Sequence, residues 1–304
     1  RGACPFMNAP PSPVKVWIQA SRPPTLVAAL IPVAVGTAIA VAHGSFRADA
    51  AIAALVGAIL IQIGTNFAND VFDFEKGADN EDRLGPTRAV AAGLLSPRAM
   101  RNAMILVFAL AFVPGIYLAT VAGLWVLGLG VVSILAGIGY TGGPYPLAYN
   151  GLGDIFVFAF FGFAAVFGTI AVQGSELGAL GWGGAVAVGA LSTAILVVNN
   201  VRDLPTDRKA NKRTLVTRFG RTFGLAEYAV MLLLPYVTLL SLIYLGEPPL
   251  LALAGLTFPV AVMLWIFVAK TEGKKLNKAL FGTAMLLLSY GALFSVGVAF
   301  GASG

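Results

Sequence analysis

The sequence predicts an all-α membrane protein with nine transmembrane helices. Hydrophobic residues make up 58% of the 304 residues and charged residues only 11%, whereas a soluble domain carries about 25% charged residues. The apolar residues lie in long unbroken blocks, which differ from the narrow apolar stripe of an amphipathic helix. Because a span needs about 20 mostly apolar residues to cross roughly 30 Å of hydrocarbon, each long block predicts one membrane crossing.

Nine blocks are long enough to cross. They cover residues 25–42, 50–67, 99–118, 121–139, 155–172, 182–198, 225–245, 250–269 and 280–300. Some blocks contain a proline, which transmembrane helices tolerate because neighbouring helices satisfy the freed backbone groups. We expect one membrane domain over residues 1–304, with a flexible segment at 1–14. Met7 could be the natural start, in which case residues 1–6 were added during cloning.

The basic residues predict a multi-pass protein of the cell (inner) membrane, with its N-terminus in the cytoplasm and its C-terminus outside. In that orientation every Lys and Arg except Arg47 lies in a cytoplasmic segment, as the positive-inside rule requires. The net charge of +6 is therefore a topology signal, and it gives no reason to expect nucleic-acid binding. The single Cys4 and single His43 exclude a disulfide framework and a Cys/His zinc site.

Acidic residues are scarce and clustered. Six of the 14 lie between Asp70 and Asp82, and two more are Asp203 and Asp207. The positive-inside rule does not require acids, so these clusters need another explanation. One acidic loop could simply be solvated and form salt bridges, but two matching clusters favour a functional site.

The two acidic segments share one spacing. Asn69 is followed four residues later by Asp73, and Asn199 is followed by Asp203 and then Asp207. Residues at this spacing share one helix face, so each segment predicts a polar ladder at a helix end. Four predicted spans separate the segments, which puts both ladders at the same membrane face as a weak parallel repeat. The ladders can then face each other across a shared cavity.

The residue types in the ladders indicate a metal-dependent diphosphate site. Carboxylate and amide oxygens without His or Cys suit Mg²⁺, which binds through a few carboxylates plus substrate phosphates. Basic residues near both ladders are candidate diphosphate ligands: Lys76, Arg88, Arg202, Lys212 and Arg213. Metal and cations together would neutralise the charge that develops on a departing diphosphate.

Four segments resemble the UbiA superfamily of membrane prenyltransferases, and within it the MenA-type 1,4-dihydroxy-2-naphthoate prenyltransferases. They are residues 17–23, 66–88, 140–144 and 199–214. Their order and spacing also match, so the resemblance covers essentially the whole chain. Gly77 stands where many superfamily members have an acid, although MenA-type members also have glycine there. Asp70, Glu75 or Asp79 could take the place of that acid.

The resemblance implies a bundle of nine helices around a central cavity that is open to the membrane. It also implies Mg²⁺-dependent transfer of a polyprenyl group from polyprenyl diphosphate to 1,4-dihydroxy-2-naphthoate. Loss of carbon dioxide would give demethylmenaquinol, a step of menaquinone biosynthesis. The implied catalytic residues and metal ligands are Asn69, Asp73, Asn199, Asp203 and Asp207, with Asp70 as an assisting metal ligand.

The aromatic acceptor is expected near Gln19, Arg22, Asn66 and Tyr140. Arg22 could pair with the acceptor carboxylate or contact a lipid headgroup. Tyr140 could bond a ring hydroxyl or act as an interfacial anchor, as Tyr145 and Tyr149 are interpreted to do.

Two kinds of alternative stay open at this point. Within the superfamily, the acceptor could be 4-hydroxybenzoate or homogentisate, and the donor could carry a phytyl group. A different class is a membrane transporter or channel with acids along an ion path. The predicted spans contain almost no acids at mid-depth, which counts against that class.

Overall fold

The computed structural model describes residues 12–77 and 83–301, and these ranges form helices and turns without a strand. The α-helices are α1 (Pro13–Ala20), α2 (Pro23–Ala42), α3 (Ala48–Glu75), α4 (Pro97–Ala122), α5 (Trp125–Thr141), α6 (Gly153–Val157), α7 (Ala165–Val172), α8 (Gly178–Lys209), α9 (Leu215–Phe219), α10 (Arg221–Tyr244), α11 (Phe258–Lys270) and α12 (Leu276–Gly301). A π-helix (Phe158–Ala164) joins α6 to α7, and 3₁₀-helices cover Leu147–Tyr149, Pro249–Thr257 and Gly273–Lys275.

The described chain contains eight helical segments that are long and apolar enough to cross a membrane, and α5 is a shorter apolar helix of 17 residues. Each predicted block corresponds to one of these nine segments, so the all-helical membrane fold is confirmed. The predicted start of the fourth block at residue 121 was wrong. Helix α4 continues to Ala122, and Gly123 then breaks the chain with a φ of 102°, a conformation that favours glycine.

Helix α8 is the most enclosed span. In the most apolar stretch of α8, 78% of the residues are buried, whereas in the most apolar stretch of α3 only 28% are buried. Small residues allow this close packing: a Cβ added at Gly183 would lie 2.6 Å from Leu242, and one at Gly184 would lie 2.7 Å from Val35. Helices α2, α10 and α12 therefore hold α8 firmly from several sides.

The π-helix keeps one face of its span directed at an interior cavity. The wall residues of this span form two adjacent rows with a spacing of four residues, one with Phe156, Phe160, Ala164, Gly168 and Val172 and one with Val157, Phe161, Ala165 and Thr169. In a regular α-helix, positions four residues apart drift by roughly 40° at each step. The wider turn of a π-helix offsets part of this drift, so both halves of the span reach the same cavity.

Both ladder segments are helical, as the sequence predicted. Helix α3 continues past its apolar block to Glu75, and α8 continues to Lys209. After Lys76 the chain leaves α3 through Gly77, whose φ of 68° is left-handed, a common way to end a helix. Helix α8 has no such break before Asp207 and therefore carries one more ladder residue.

Candidate functional site

Both ladders line one end of an interior cavity of about 850 Å³. The wall at this end includes all five ladder residues: Asn69, Asp73, Asn199, Asp203 and Asp207. The wall at the opposite end is apolar and includes Leu118, Val126 and Val172. The structure thus brings the predicted ladder residues together at the polar head of an apolar chamber.

The first ladder is held by partners from other elements. Asp73 is 7% exposed. Its Oδ2 accepts a hydrogen bond from Arg88 Nη2 at 3.1 Å, and its Oδ1 accepts one from Tyr149 Oη at 2.9 Å. Asn69 Oδ1 accepts a hydrogen bond from Thr141 Oγ1 at 2.9 Å. The loop before α4, the end of α5 and the segment after α5 therefore meet at this ladder.

The second ladder is held by its own neighbour Arg202, which is 1% exposed. The guanidinium donates to both carboxylate oxygens of Asp203, at 2.8 and 2.6 Å. It also donates to Asn199 Oδ1 and to Asn277 Oδ1, each at 2.7 Å. Asn277 in turn donates to the carbonyl oxygen of Leu84 at 3.0 Å. Arg202 thereby fixes two ladder residues and links α8 to α12.

Asp70 anchors the loop that carries Arg88. Its two carboxylate oxygens accept the backbone N–H groups of Ala89 and Val90, each at 3.1 Å. This arrangement holds the loop against α3 and places Arg88 beside Asp73. The structure thus gives Asp70 a positioning contact, and its part as an assisting metal ligand stays a prediction.

Glu75 and Asp79 are the other two candidates for the acid that many superfamily members have in place of Gly77. Glu75 is exposed and forms an ion pair with Arg101, so the structure gives it an outward partner. Asp79 lies outside the described residues, as does Asp82.

Tyr149 belongs to the site. Its hydroxyl bonds Asp73, and its ring centroid lies 4.9 Å from Lys76 Nζ and 5.5 Å from Lys212 Nζ. These are cation–π distances. The interpretation of Tyr149 as an interfacial anchor was therefore wrong, because the residue connects the first ladder to two basic side chains.

The two lysines differ in their electrostatic surroundings. Partial desolvation lowers the pKa of Lys76, although its side chain is exposed, and the nearby Asp73 opposes this. Burial would also lower the pKa of Lys212, but Asp207, Asp73 and Asp203 outweigh it and raise that pKa above its usual value. Lys212 Nζ lies 3.7 Å from Asp207 Oδ1. Lys212 therefore keeps its positive charge beside the second ladder.

The five predicted diphosphate ligands fall into two groups. Arg88, Arg202 and Lys212 lie on the cavity wall. Lys76 and Arg213 are exposed and lie off that wall, and their part as diphosphate ligands stays a prediction. Lys76 Nζ donates a hydrogen bond to the carbonyl oxygen of Thr141. The backbone N–H of Arg213 donates one to the carbonyl oxygen of Tyr149. Both therefore support the rim of the cavity.

The four predicted acceptor residues all line the cavity: Gln19, Arg22, Asn66 and Tyr140. The Nδ2 group of Asn66 donates to Ser21 O at 2.9 Å and to Thr25 Oγ1 at 3.0 Å. Arg22 Nη2 donates to the carbonyl oxygen of Asn66 at 3.3 Å. These bonds tie the junction between α1 and α2 to α3, so Asn66 has a structural task in addition to its place on the wall.

Sequence reasoning missed Thr141 and Asn277 as site residues. Thr141 follows Tyr140 in a segment that was already considered for the acceptor, and its neighbourhood was a usable signal. Asn277 follows a run of lysines and has no ladder spacing around it. Its contacts with Arg202 and Leu84 join residues 75 and 193 positions apart, which a sequence pattern does not reveal.

The donor set fits Mg²⁺, although no three His, Cys, Asp or Glu side chains of the described chain cluster closely enough to form a metal site by themselves. Magnesium needs fewer, because it binds through one or two carboxylates, waters and substrate phosphates. Asp207 Oδ2 is buried without a hydrogen-bond partner. The carboxyl groups of Asp73 and Asp203 are near enough to repel that of Asp207. A bound cation would relieve both conditions.

Comparison with known proteins identifies the family. The model of the UbiA prenyltransferase family matches residues 29–296. The chain belongs to the UbiA prenyltransferase family. It is therefore an integral membrane enzyme of the prenyltransferase class, as its sequence resemblance implied.

Two relatives and one solved structure illustrate the likeness. The chain is 41% identical to a 1,4-dihydroxy-2-naphthoate octaprenyltransferase of Mycobacterium tuberculosis, over 67% of this chain and 70% of the relative. It is 33% identical to an enzyme of the same name from Haemophilus influenzae, over 95% of this chain and 97% of the relative. A UbiA homologue from Archaeoglobus fulgidus, solved with DMAPP and Mg²⁺, superposes with a TM-score of 0.67 at 19% identity, over 92% of this chain and 99% of that chain. This superposition establishes the UbiA fold.

Proposed function

We propose that this chain transfers a polyprenyl group from polyprenyl diphosphate to 1,4-dihydroxy-2-naphthoate in a Mg²⁺-dependent reaction that produces demethylmenaquinol. The observation that carries the reaction type is the cavity, in which two Asn–Asp ladders lie at the head of a long apolar chamber. This shape suits a substrate with a diphosphate head and a hydrocarbon tail. The acceptor rests on the relatives, which bear the name 1,4-dihydroxy-2-naphthoate octaprenyltransferase.

The ladder residues form the proposed metal-binding part of the site. Asn69 and Asp73 would hold Mg²⁺ from α3, and Asn199, Asp203 and Asp207 would hold it from α8. Bound Mg²⁺ would neutralise the charge that develops on the diphosphate as the carbon–oxygen bond of the donor breaks.

The basic residues on the wall orient the diphosphate. Lys212 and Arg88 are the two cations we assign to this task, since Lys212 is charged beside Asp207 and Arg88 lies against Asp73. Arg202 acts differently in this proposal. Its donors already hold Asp203, Asn199 and Asn277, so we assign it the task of keeping the second ladder in place.

The acceptor is proposed to bind beside the head of the cavity, near Gln19, Arg22 and Tyr140. Arg22 would pair with the carboxylate, and Tyr140 would bond a ring hydroxyl. A new carbon–carbon bond forms between the allylic carbon of the donor and the naphthoate ring, diphosphate leaves, and the ring loses carbon dioxide. Leu196, on the cavity wall about one helical turn before Asn199, would help to exclude water, which could otherwise capture the allylic cation.

We also propose that the site faces the cytoplasm, with the N-terminus inside and the C-terminus outside. The distribution of Lys and Arg supports this orientation. Labelling of single cysteines introduced in the loop between α8 and α9 and in the turn between α2 and α3 would test it, with a reagent that does not cross the membrane.

A competition assay tests the proposed function. Purified protein receives Mg²⁺, a polyprenyl diphosphate and three acceptors together: dihydroxynaphthoate, 4-hydroxybenzoate and homogentisate. We expect a decarboxylated prenyl-naphthoquinol as the main product by mass. Turnover should stop with a chelator and return when Mg²⁺ is added.

Other outcomes of this assay would be equally clear. A product from another acceptor would keep the reaction type and overturn the acceptor. Turnover that persists in the chelator would contradict the metal assignment. No product from any acceptor with folded protein would refute prenyl transfer as proposed here.

A further inference from the structure

We propose that Gly130 sets the length of prenyl tail that fits inside the cavity. This inference rests on the proposed function, because it concerns the donor of the same reaction. Helix α5 carries Gly130 and presents one face to the cavity. Its wall residues, among them Val126, Ser133, Gly137 and Thr141, recur every three or four positions, the spacing of one helix face.

Gly130 lies deep in the apolar part of the cavity. Thr141, at the polar end of the same helix, bonds Asn69 of the first ladder. Since an α-helix rises by 1.5 Å per residue, Gly130 lies about 16 Å deeper than Thr141 along the helix axis. A prenyl tail whose diphosphate sits at the ladders must therefore pass most of α5 before it reaches Gly130.

The other glycines of the cavity wall have packing neighbours. A Cβ added at Gly137 would lie 2.3 Å from Thr65 Oγ1, and one at Gly168 would lie 3.0 Å from Leu129. A Cβ added at Gly115 would lie 3.5 Å from its nearest side chain, and one added at Gly57 would lie 3.7 Å from its nearest side chain. Among these five glycines of the described chain, Gly130 differs because no heavy atom lies within 4 Å of its added Cβ.

Packing between helices therefore does not explain the glycine at position 130. A glycine inside a helix is less favourable than alanine, and here the space above it belongs to the cavity. A ligand that occupies this space accounts for the missing side chain. Because the surrounding wall is apolar, the fitting ligand group is a hydrocarbon tail.

The floor of the cavity lies just beyond Gly130. Leu118, Val126 and Val172 are buried there and pack together with Ala50. Val126 is only about 6 Å deeper than Gly130 on the helix axis. A large side chain at position 130 would thus remove the last part of the usable depth and leave the polar head unchanged.

The test replaces Gly130 by Phe and measures kcat/KM for a series of donors, from geranyl through farnesyl and geranylgeranyl to octaprenyl diphosphate, with one acceptor. We expect geranyl transfer to stay within about twofold of wild type, and transfer from the geranylgeranyl and octaprenyl donors to fall about tenfold or more, the size of effect that apolar pocket changes produce. Gly130→Ala should give a smaller change in the same direction.

A matched control lies on the same helix. Gly128 also has no heavy atom within 4 Å of an added Cβ, but it is exposed and lies off the cavity wall. Gly128→Phe adds the same bulk to α5 on its lipid side. It should leave kcat/KM unchanged for every donor.

Equal losses with all donors would overturn the inference, since they would mean that Phe disturbs the fold or the head of the site. Unchanged octaprenyl transfer would also overturn it, because the tail would then leave the cavity before reaching Gly130. If wild-type protein turned over no donor, the proposed function would fail separately. The thermal stabilisation that each diphosphate gives to wild type and to the same variants would then still show whether position 130 distinguishes short tails from long tails.

Discussion

The two ladders share a spacing but differ in how they are supported. Asp73 on α3 is held by Arg88 and Tyr149, which come from loops 15 and 76 residues away. Asp203 on α8 is held by the adjacent Arg202. The same Asn–Asp spacing is thus stabilised by distant segments in one half of the molecule and by local contacts in the other.

This difference follows from where each helix lies. Helix α8 is enclosed by other helices, so a buried guanidinium from its own sequence can fill the space beside its ladder. Helix α3 is more exposed and ends at Glu75, so its ladder needs the loop after it to fold back. We infer that the first ladder depends on the folding of its loops, whereas the second depends on the integrity of the helix core.

The largest expected effect tests what the ladders have in common. Asp73→Asn and Asp203→Asn should each reduce kcat by about 100-fold or more, because each removes a carboxylate proposed to hold the Mg²⁺ that neutralises the developing diphosphate charge. Asp49→Asn is the control, since Asp49 lies in the first turn of α3, at the opposite end from the ladder, and pairs with Arg47. Near-normal kcat in either ladder variant would remove that residue from the metal site.

The next effect separates the ladders by stability. Asp203→Asn leaves the guanidinium of Arg202 buried without its carboxylate, which should lower the free energy of unfolding by about 3 kcal/mol. Asp73→Asn should cost less, because Arg88 is less deeply buried than Arg202. Chemical unfolding in detergent measures both values. The inferred contrast between the ladders fails if Asp73→Asn is the more destabilised variant.

A smaller effect concerns the first ladder alone. Tyr149→Phe removes the hydrogen bond to Asp73 and keeps the ring beside Lys76 and Lys212. A hydrogen bond to a charged group contributes about 1.5–3 kcal/mol, so kcat/KM should fall at least about tenfold. Tyr145→Phe in the same segment is the matched control, as Tyr145 is 61% exposed. Equal activity of the two variants would show that the hydroxyl of Tyr149 is dispensable.

The smallest effect concerns the end of α3. Gly77 has a φ of 68° and open space around it, so Gly77→Ala should cost about 1 kcal/mol of unfolding free energy through backbone strain. Gly139→Ala, inside α5 with equally open surroundings, should be neutral or slightly stabilising. If both substitutions had the same effect, the left-handed turn would not be what ends the first ladder.

Much of the fold could be predicted from the sequence because membrane spans leave a strong signal. The blocks of apolar residues identified the nine apolar helical segments found in the described part of the chain, and the spacing from Asn69 to Asp73 and from Asn199 to Asp207 identified both ladders. Short-range periodicity was enough for these features, since each depends on residues within one helix.

The supporting residues could not be predicted in the same way. Thr141 and Tyr149 reach the first ladder across 72 and 76 positions of sequence, and Asn277 reaches Arg202 across 75; no periodicity within one helix marks such pairs. Sequence also does not reveal that two of the candidate phosphate ligands, Lys76 and Arg213, lie off the cavity wall. Burial decides between these placements, and burial is a property of the folded chain.

The π-helix in the fifth span has a consequence for changes in chain length. Removing one residue between Phe158 and Ala164 would convert the wide turn into an ordinary α-helical turn. Because the wide turn accommodates about one residue more than the α-helical turns that would replace it, the part of the span beyond it would keep roughly its orientation, with Gly168 and Val172 still on the cavity wall. The same deletion in a regular part of the span would rotate everything beyond it by about 100°. The π-helix is therefore the place in this span where the loss of one residue changes the cavity wall least.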